Sequence, residues 1–372
     1  MKYDYDVMVI GAGGAGLCVA GELAQKGYRV GLADLKNDIL KVSFHTLGSF
    51  IEYKKFGLSS KVIASRLTEL FFASRHISFA KKGKAFILDK TQLHRELLAK
   101  AKKHKVVVHA GAHIVQITFR KNGDVLSVQD NRKNIYTAKI FIDASGVHSF
   151  LSKKMGLQEA SMNSASGLEL NVKYLGSAQR AYLFIGNLFQ GGYGWLFPLG
   201  NNRAILGIGS FDSMARQQLK KRLDEMFNLP SLKGIVEKDR PTLYGGTIPI
   251  TPVKTKFVKG NVVCVGDSVS QVNPLVGEGY RFILESAQMA ANHIDEALQN
   301  DNNSLLHDYE IEWRKKFYKK YLRAKKLQDV ANRASKSELM IDFLTFLLMT
   351  KRDQTFVKLI AGELNAATVL LP

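Results

Sequence analysis

The stretch that decides the fold is Asp6-Val-Met-Val-Ile10, followed at once by Gly11-Ala-Gly13-Gly-Ala-Gly16. The apolar run predicts a buried parallel strand, and the residues after the glycines predict a helix. Gly11 permits a tight turn, Gly13 lets a pyrophosphate approach the backbone, and Gly16 lets the helix pack closely on the strand. The amino end of such a helix favours phosphate. The stretch therefore predicts a dinucleotide-binding unit, with cofactor contacts from Gly11, Gly13, Gly14, Ala15 and Gly16.

A second strand, from Tyr28 to Ala33, ends at Asp34, which lies 18 residues after Gly16. A carboxylate at this point can accept hydrogen bonds from ribose hydroxyls, which favours an adenosine without a 2′-phosphate. NAD and FAD proteins share this first motif. The choice between the two cofactors must therefore come from another part of the chain.

A late segment supplies that choice. A strand-like run from Gly260 ends in Gly266-Asp267, and the loop Asn273-Pro-Leu-Val-Gly-Glu-Gly279 precedes a helix from Tyr280 to about Leu298. The segment resembles the superfamily of flavoprotein hydroxylases and prenyl reductases. The resemblance implies that Asp267 binds the ribityl chain of FAD and that the loop brings backbone N–H groups to the isoalloxazine. Glycines allow that approach, and a helix amino end stabilises the charge of reduced flavin. The residues implied in FAD binding are Gly266, Asp267, Pro274, Gly277, Glu278 and Gly279.

A third segment of the same superfamily is similar to Phe141-Ile-Asp143-Ala-Ser-Gly146. It usually reads Asp-Gly where this chain has Ser145-Gly146. The resemblance implies a cofactor contact at Gly146.

The branch of the superfamily is indicated by Tyr193-Gly-Trp195-Leu-Phe197-Pro198 and the downstream Gly207-Ile-Gly209. With the late loop, this pattern resembles the geranylgeranyl reductase family over residues 4–325. The resemblance implies reduction of C=C bonds in a polyprenyl (geranylgeranyl-type) lipid or quinone side chain. It also implies a substrate site at Tyr193, Trp195 and Phe197, and large apolar rings suit a prenyl chain.

The proton donor for this reduction is not named by the pattern. His45 and Tyr193 are the candidate catalytic residues. Two departures from the family are Gln190, where a proline is common, and the absence of cysteine between Lys41 and Gly48. Three alternatives stay open: a flavin-dependent monooxygenase or epoxidase on an apolar substrate, a non-redox enzyme similar to lycopene cyclases, and a non-enzymatic flavoprotein that binds membranes or nucleic acid.

The predicted fold class is α/β, with a Rossmann-like FAD-binding domain, an antiparallel-sheet substrate domain and a helical C-terminal region. The FAD-binding domain is expected at 1–164 and 256–304, the substrate domain at 165–255 and the helical region at 305–372. Helices are predicted at 60–73, 91–103 and 217–227. Strands are predicted at 106–108, 112–120, 124–130 and 134–138, with Asn122-Gly123 as a hairpin turn.

The charge balance, with 53 Lys and Arg against 33 Asp and Glu, favours anionic partners such as a phospholipid surface. No specific nucleic acid is expected. Only two cysteines occur, which excludes a disulfide framework and a four-cysteine metal site, and no metal is expected. No leader is expected, and Leu339 to Met349 is too short to span a bilayer. We expect a cytoplasmic protein, with peripheral binding to the inner face of the membrane left open.

One basic helix could make that membrane contact. Apolar residues recur at helical spacing from Trp313 through Phe317 and Tyr321 to Ala324, among many lysines and arginines. The sequence leaves two positions open for this helix: on anionic lipid, or packed on the domain with its basic side in water. Apolar helices near 343–348 and 356–360 are expected to form a lid or membrane face. The electron donor, whether NADPH, ferredoxin or quinol, is not indicated.

Overall fold

The computed structural model describes residues 2–159, 164–239, 242–250 and 252–363. In these residues the strands are β1 (Tyr5–Ile10), β2 (Val30–Asp34), β3 (Thr46–Ser49), β4 (Ile63–Ala73), β5 (Ser78–Asp89), β6 (Val107–Ala110), β7 (Ile114–Phe119), β8 (Val125–Asp130), β9 (Ile135–Asp143), β10 (Ser164–Tyr174), β11 (Arg180–Phe184), β12 (Gly192–Gly200), β13 (Arg203–Ser210), β14 (Val236–Glu237), β15 (Leu243–Pro249), β16 (Val258–Lys259) and β17 (Val262–Cys264). The helices are α1 (Gly14–Gln25), α2 (Lys90–Lys103), α3 (Phe150–Lys154), α4 (Ser213–Arg216), α5 (Leu219–Glu225), α6 (Tyr280–Gln299), α7 (Leu306–Trp313), α8 (Lys319–Ala334), α9 (Glu338–Thr350) and α10 (Asp353–Ile360).

The first sheet brings an early and a late part of the sequence together. Its strand order is β16-β17-β9-β1-β2-β6, and β8 joins it beside β9. Strands β17, β9, β1, β2 and β6 run parallel, with Val7 opposite both Val30 and Ile140. Helix α1 packs against α2 and α6. The glycine turn after β1 and the Gly266-Asp267 turn after β17 therefore lie at the same edge of the sheet.

The second sheet has the order β14-β10-β13-β12-β11-β4-β5-β3, with β15 beside β10. Its pairs are antiparallel except for β4 with β11. The mixed α/β fold with an antiparallel-rich second sheet is confirmed. The prediction placed all residues before 165 in the FAD-binding domain, whereas β3, β4 and β5 pair in the second sheet.

The predicted helix at 60–73 is wrong, because this segment is a short turn followed by β4. A bulge between Leu67 and Glu69 shifts the register of β4 against β5. The extra residue lies in β5, where two residues oppose Thr68 of β4. Burial in β4 changes its alternation at the same point, so the buried Leu67 and Leu70 have the spacing of a helix face. The helix at 91–103 is confirmed as α2, and the helix at 217–227 is confirmed with narrower bounds as α5. The hairpin at Asn122-Gly123 joins β7 to β8.

The basic C-terminal helix packs on the domain rather than on lipid. Trp313, Phe317 and Tyr321 are buried, and Phe282 of α6 contacts the rings of Phe317 and Tyr321 edge-on. The Trp313 indole N–H donates to Ser286 Oγ at 2.8 Å. In the part of the chain that the structure describes, no helix combines the length and the apolar composition needed to cross a bilayer.

Candidate functional site

The first glycine turn packs as the motif requires. Gly11 has φ +104°, and a Cβ there would lie 2.3 Å from the Ala144 carbonyl oxygen. A Cβ on Gly16 would lie 1.8 Å from the carbonyl oxygen of Gly11. A Cβ on Gly13, in contrast, would meet no atom of the described residues within 4 Å. Gly11 and Gly16 therefore serve packing, whereas Gly13 faces open space at the amino end of α1, where a pyrophosphate fits.

Asp34 fixes the glycine turn from the end of β2. Its Oδ2 accepts a hydrogen bond from the Ala12 backbone N–H at 2.6 Å, and its Oδ1 accepts one from Lys36 N–H at 2.8 Å. The carboxylate thus joins the glycine turn to the loop after β2. Its binding to ribose stays a prediction.

The late motif touches the first one. Gly266 has φ +71°, and a Cβ there would lie 3.1 Å from Ala15 Cβ. Burial raises the pKa of the neighbouring Asp267 to about 6, and the charge of Lys90 acts in the opposite direction. A buried carboxyl beside open space can be satisfied by hydroxyl groups of a ligand, as a ribityl chain would provide.

A cavity, which we call the cofactor cavity, opens between the two sheets beside this motif. The late loop borders it through Gly277, Glu278 and Gly279, and the segment 43–48 borders it from the other side. Gly277 has φ +68°, a backbone conformation that favours glycine. The ionisable acids and bases on the wall include Lys90, Glu169, Asp267 and Glu278. The glycine backbone of the late loop and a largely apolar wall fit the flat ring of FAD.

A second cavity, which we call the apolar cavity, adjoins the first. Its empty space, including the part that is open to solvent, measures about 1350 Å³. Its wall consists mainly of aliphatic and aromatic side chains from β4, β5, β11, α9 and the end of α10. The residues that line both cavities are Gly48, Tyr193, Phe197, Phe211, Val276 and Glu278. The two cavities thus meet at the late loop.

The three predicted substrate residues form a row along β12. The ring centroids of Tyr193 and Trp195 are 5.4 Å apart, and those of Trp195 and Phe197 are 6.2 Å apart. All three line the cofactor cavity. The Tyr193 hydroxyl donates to the Val276 carbonyl at 2.5 Å, so that β12 is tied to the late loop. Burial raises the pKa of Tyr193 far above its usual range.

His45 lies away from this junction. Its ring packs on Tyr244, with centroids 4.3 Å apart. It is absent from the described residues that line the two cavities. Its position gives no support to its predicted role as proton donor.

Three predicted cofactor residues have other partners or lie at the margin. Glu278 accepts from Ser49 Oγ at 2.6 Å, and the Pro274 carbonyl accepts from Gln328 Nε2 at 2.6 Å. Gly146 has φ +65° and open space at its Cβ position, in the turn after β9. Contact of these residues with FAD stays a prediction.

Two polar residues of the cofactor cavity were missed from the sequence. Glu169 lies in β10, where buried Leu170 and Val172 alternate with it, so a period-two pattern assigns Glu169 to a solvent face. Lys90 follows the strand β5 at the first residue of α2. Its position directly after the strand Ser78–Asp89, where the sheet ends and a helix begins, was the available signal.

The fold and site define an FAD-dependent oxidoreductase. The FAD binding domain family matches residues 4–325, and the chain belongs to that family. Digeranylgeranylglycerophospholipid reductase 1 of Methanococcoides burtonii is 27% identical over 344 residues, which cover 85% of this chain and 81% of the relative. The recognised similarity to geranylgeranyl reductases is confirmed.

Two solved structures show the same fold. A geranylgeranyl bacteriochlorophyll reductase-like protein of Thermoplasma acidophilum has a TM-score of 0.83 at 22% identity, with 96% of each chain covered. HpxO of Klebsiella pneumoniae, solved with FAD and uric acid, has a TM-score of 0.72 at 16% identity, with 96% of each chain covered. At these identities the likeness concerns the fold alone.

Proposed function

We propose that this enzyme reduces C=C double bonds in the polyprenyl chain of a lipid or quinone. The observation that carries the proposal is the junction of the two cavities at Tyr193, Phe197 and the late loop. A long apolar chain in the apolar cavity would present its double bonds to the flavin ring at that junction. The name of the Methanococcoides relative supports the same substrate class.

Bound FAD, once reduced, supplies a hydride to one carbon of the double bond. The chain's own residues position the reactants. The loop Gly277 to Gly279 holds the ring site open, and the hydrogen bond from Tyr193 to Val276 fixes the wall against it. Phe197 and Phe211 add apolar wall to both cavities at the junction.

The test is a single anaerobic turnover. The FAD-loaded protein is reduced with dithionite and mixed with a geranylgeranyl lipid in micelles, while flavin absorbance and product mass are followed. Flavin reoxidation with a gain of two hydrogens for each saturated bond is the expected result. Flavin that stays reduced until oxygen is admitted would overturn the proposal in favour of a monooxygenase, and an isomerised lipid without reoxidation would favour a cyclase.

A matched pair of variants tests whether the prenyl chain of the lipid occupies the apolar cavity. Leu344→Trp on α9 fills part of the apolar cavity, so we expect a higher KM for the lipid with unchanged FAD content. Ile311→Trp on the exposed side of α7 is the control and should leave KM unchanged. Equal KM values for the two variants would show that the lipid does not use this cavity.

We further propose that α9 binds an anionic membrane surface. Its inner residues Ile341, Leu344 and Leu348 line the apolar cavity. Its outer face is exposed and apolar, and consists of Leu339, Met340, Phe343, Phe346 and Leu347. A contiguous exposed apolar face of this kind marks an interaction site, here with the apolar part of a membrane.

Charge favours the same orientation. Exposed Lys336 precedes α9, and exposed Arg352 follows it. Basic residues near an anionic leaflet contribute about 1 kcal/mol each, and the whole chain carries a net charge of +20. A lipid substrate could then pass from the bilayer to the apolar cavity beside α9.

A further inference from the structure

Glu169 is a carboxyl group inside the protein, on the wall of the cofactor cavity. It lies in the middle of β10, opposite Gly207 of β13 and Tyr244 of β15. Its relative exposure is 2%. The proposed function gives this residue no role so far, and a buried carboxyl with only structural neighbours would be a costly feature.

The two oxygens of Glu169 differ in their surroundings. Oε1 accepts a hydrogen bond from the Trp195 indole N–H at 3.2 Å. Oε2 is buried and has no hydrogen-bond partner among the residues that the structure describes. Since the side chain borders the cofactor cavity, Oε2 is the oxygen left for a group bound there. The Trp195 ring covers Gly207, where a Cβ would lie 2.3 Å from it, and so fixes the indole over the carboxyl.

Burial favours the neutral acid at this position. The titratable groups around Glu169 are Lys90 of α2, Tyr193 of β12 and Tyr244 of β15. Burial raises the pKa of Glu169 to about 8, although the Trp195 hydrogen bond and the charge of Lys90 both lower it. A carboxylic acid that holds its proton at neutral pH is suited to general acid catalysis.

Resting on the proposed function, we propose that Glu169 donates the proton in the reduction of the double bond. Reduced FAD loses a hydride to one alkene carbon and becomes oxidised, while Glu169 transfers its proton to the other carbon. The π bond breaks, two C–H bonds form, and Glu169 is left as a carboxylate that water reprotonates before the next turnover. The Trp195 N–H stabilises that carboxylate, because a hydrogen bond to an ionised acceptor is stronger, and the charge of Lys90 also favours the carboxylate.

Glu278 and Tyr193 also line the cofactor cavity, and both have polar partners that Glu169 lacks. Glu278 accepts hydrogen bonds from Ser49 Oγ and from the Phe50 backbone N–H, and Arg281 lies 3.9 Å from its Oε2, which has no hydrogen-bond partner in the described residues. Burial raises the pKa of Glu278, but Arg281 and these hydrogen bonds all lower it. The Tyr193 hydroxyl already donates to Val276, and its raised pKa makes it a weaker acid than Glu169.

The test compares Glu169→Gln with the wild type in the anaerobic single turnover. Gln keeps the size of the side chain and an acceptor for Trp195, so FAD content should not change. We expect lipid-dependent flavin reoxidation to slow by about 10²–10⁴-fold, the usual contribution of a general acid. The wild-type rate should fall as pH rises through the pKa of Glu169, because the donor is the protonated form. Glu169→Asp should keep part of the rate of flavin reoxidation, and that rate should still fall as the pH rises.

Glu278→Gln tests the other buried carboxyl of the cofactor cavity, and its FAD content is measured first because Glu278 belongs to the predicted FAD loop. It should keep the pH dependence of the wild type. A readout without turnover is the infrared C=O band of a neutral carboxylic acid, which should be present at neutral pH and missing in Glu169→Gln.

Wild-type rate and pH profile in Glu169→Gln would overturn the donor role alone, and so would loss of the pH dependence in Glu278→Gln. A wild type that never transfers hydride to a prenyl lipid would overturn the proposed function, and the donor role with it.

Discussion

Serine at Leu339 and Phe343 tests whether the outer face of α9 binds lipid. These side chains are 82% and 61% exposed, so little of the folded protein's own packing depends on them. Full burial of such a side chain contributes about 1.5–3 kcal/mol. Scaled by the exposed fractions, insertion of both would contribute roughly 2–4 kcal/mol. The double variant should therefore bind vesicles about 30- to 1000-fold more weakly.

The assay is cosedimentation with vesicles that contain a zwitterionic and an anionic phospholipid. The matched control is Ile311→Ser with Leu322→Ser, which removes apolar side chains that are 55% and 45% exposed on α7 and α8. The control should bind as the wild type does. Added salt should weaken wild-type binding, because charges at the surface are screened. Equal binding of the double variant and the wild type, or no wild-type binding to anionic vesicles, would refute the reasoning.

Two further predictions follow from the site. Gly13→Val should weaken FAD binding but leave the melting temperature of the apoprotein nearly unchanged, because its Cβ position is open, whereas Gly16→Ala should lower the melting temperature through its clash with Gly11. Calorimetry measures the melting temperatures and flavin titration measures FAD binding; equal melting temperatures of the two variants would contradict the packing. Trp195→Phe removes a hydrogen bond that lowers the pKa of Glu169. The fall of the reoxidation rate should then move to higher pH, and a shift to lower pH would contradict the assigned role of the indole.

The parts of the fold that the sequence predicted are those with local causes. The turn at Gly11 needs a positive φ, and Gly16 needs an absent Cβ, so both glycines carry their reason in the residue type. Buried parallel strands such as β1 are apolar on both faces and are therefore legible as continuous runs. The helices α2 and α5 were found for the same reason, since their spacing is that of the folded element.

The features that were missed depend on distant partners. The register shift between Leu67 and Glu69 arises only when β4 pairs with β5. In the sequence alone, Leu67 and Leu70 have the spacing of a helix. The membership of β3 to β5 in the second sheet depends on the pairing of β4 with β11, about a hundred residues later. Glu169 has the alternation of a solvated strand face, and only the other strands and Lys90 make that face an interior wall.

The apolar substrate and the protonation of Glu169 have one physical cause. An unactivated double bond is a poor hydride acceptor, so the carbon that does not receive hydride needs a proton from a nearby acid. A carboxyl group in water is ionised at neutral pH and cannot serve, but the same group beside an apolar chain loses its solvent and keeps its proton. Glu169 is only 2% exposed and borders the cofactor cavity, not the apolar cavity. The folded protein itself, before any lipid binds, would therefore retain the proton that the reduction consumes.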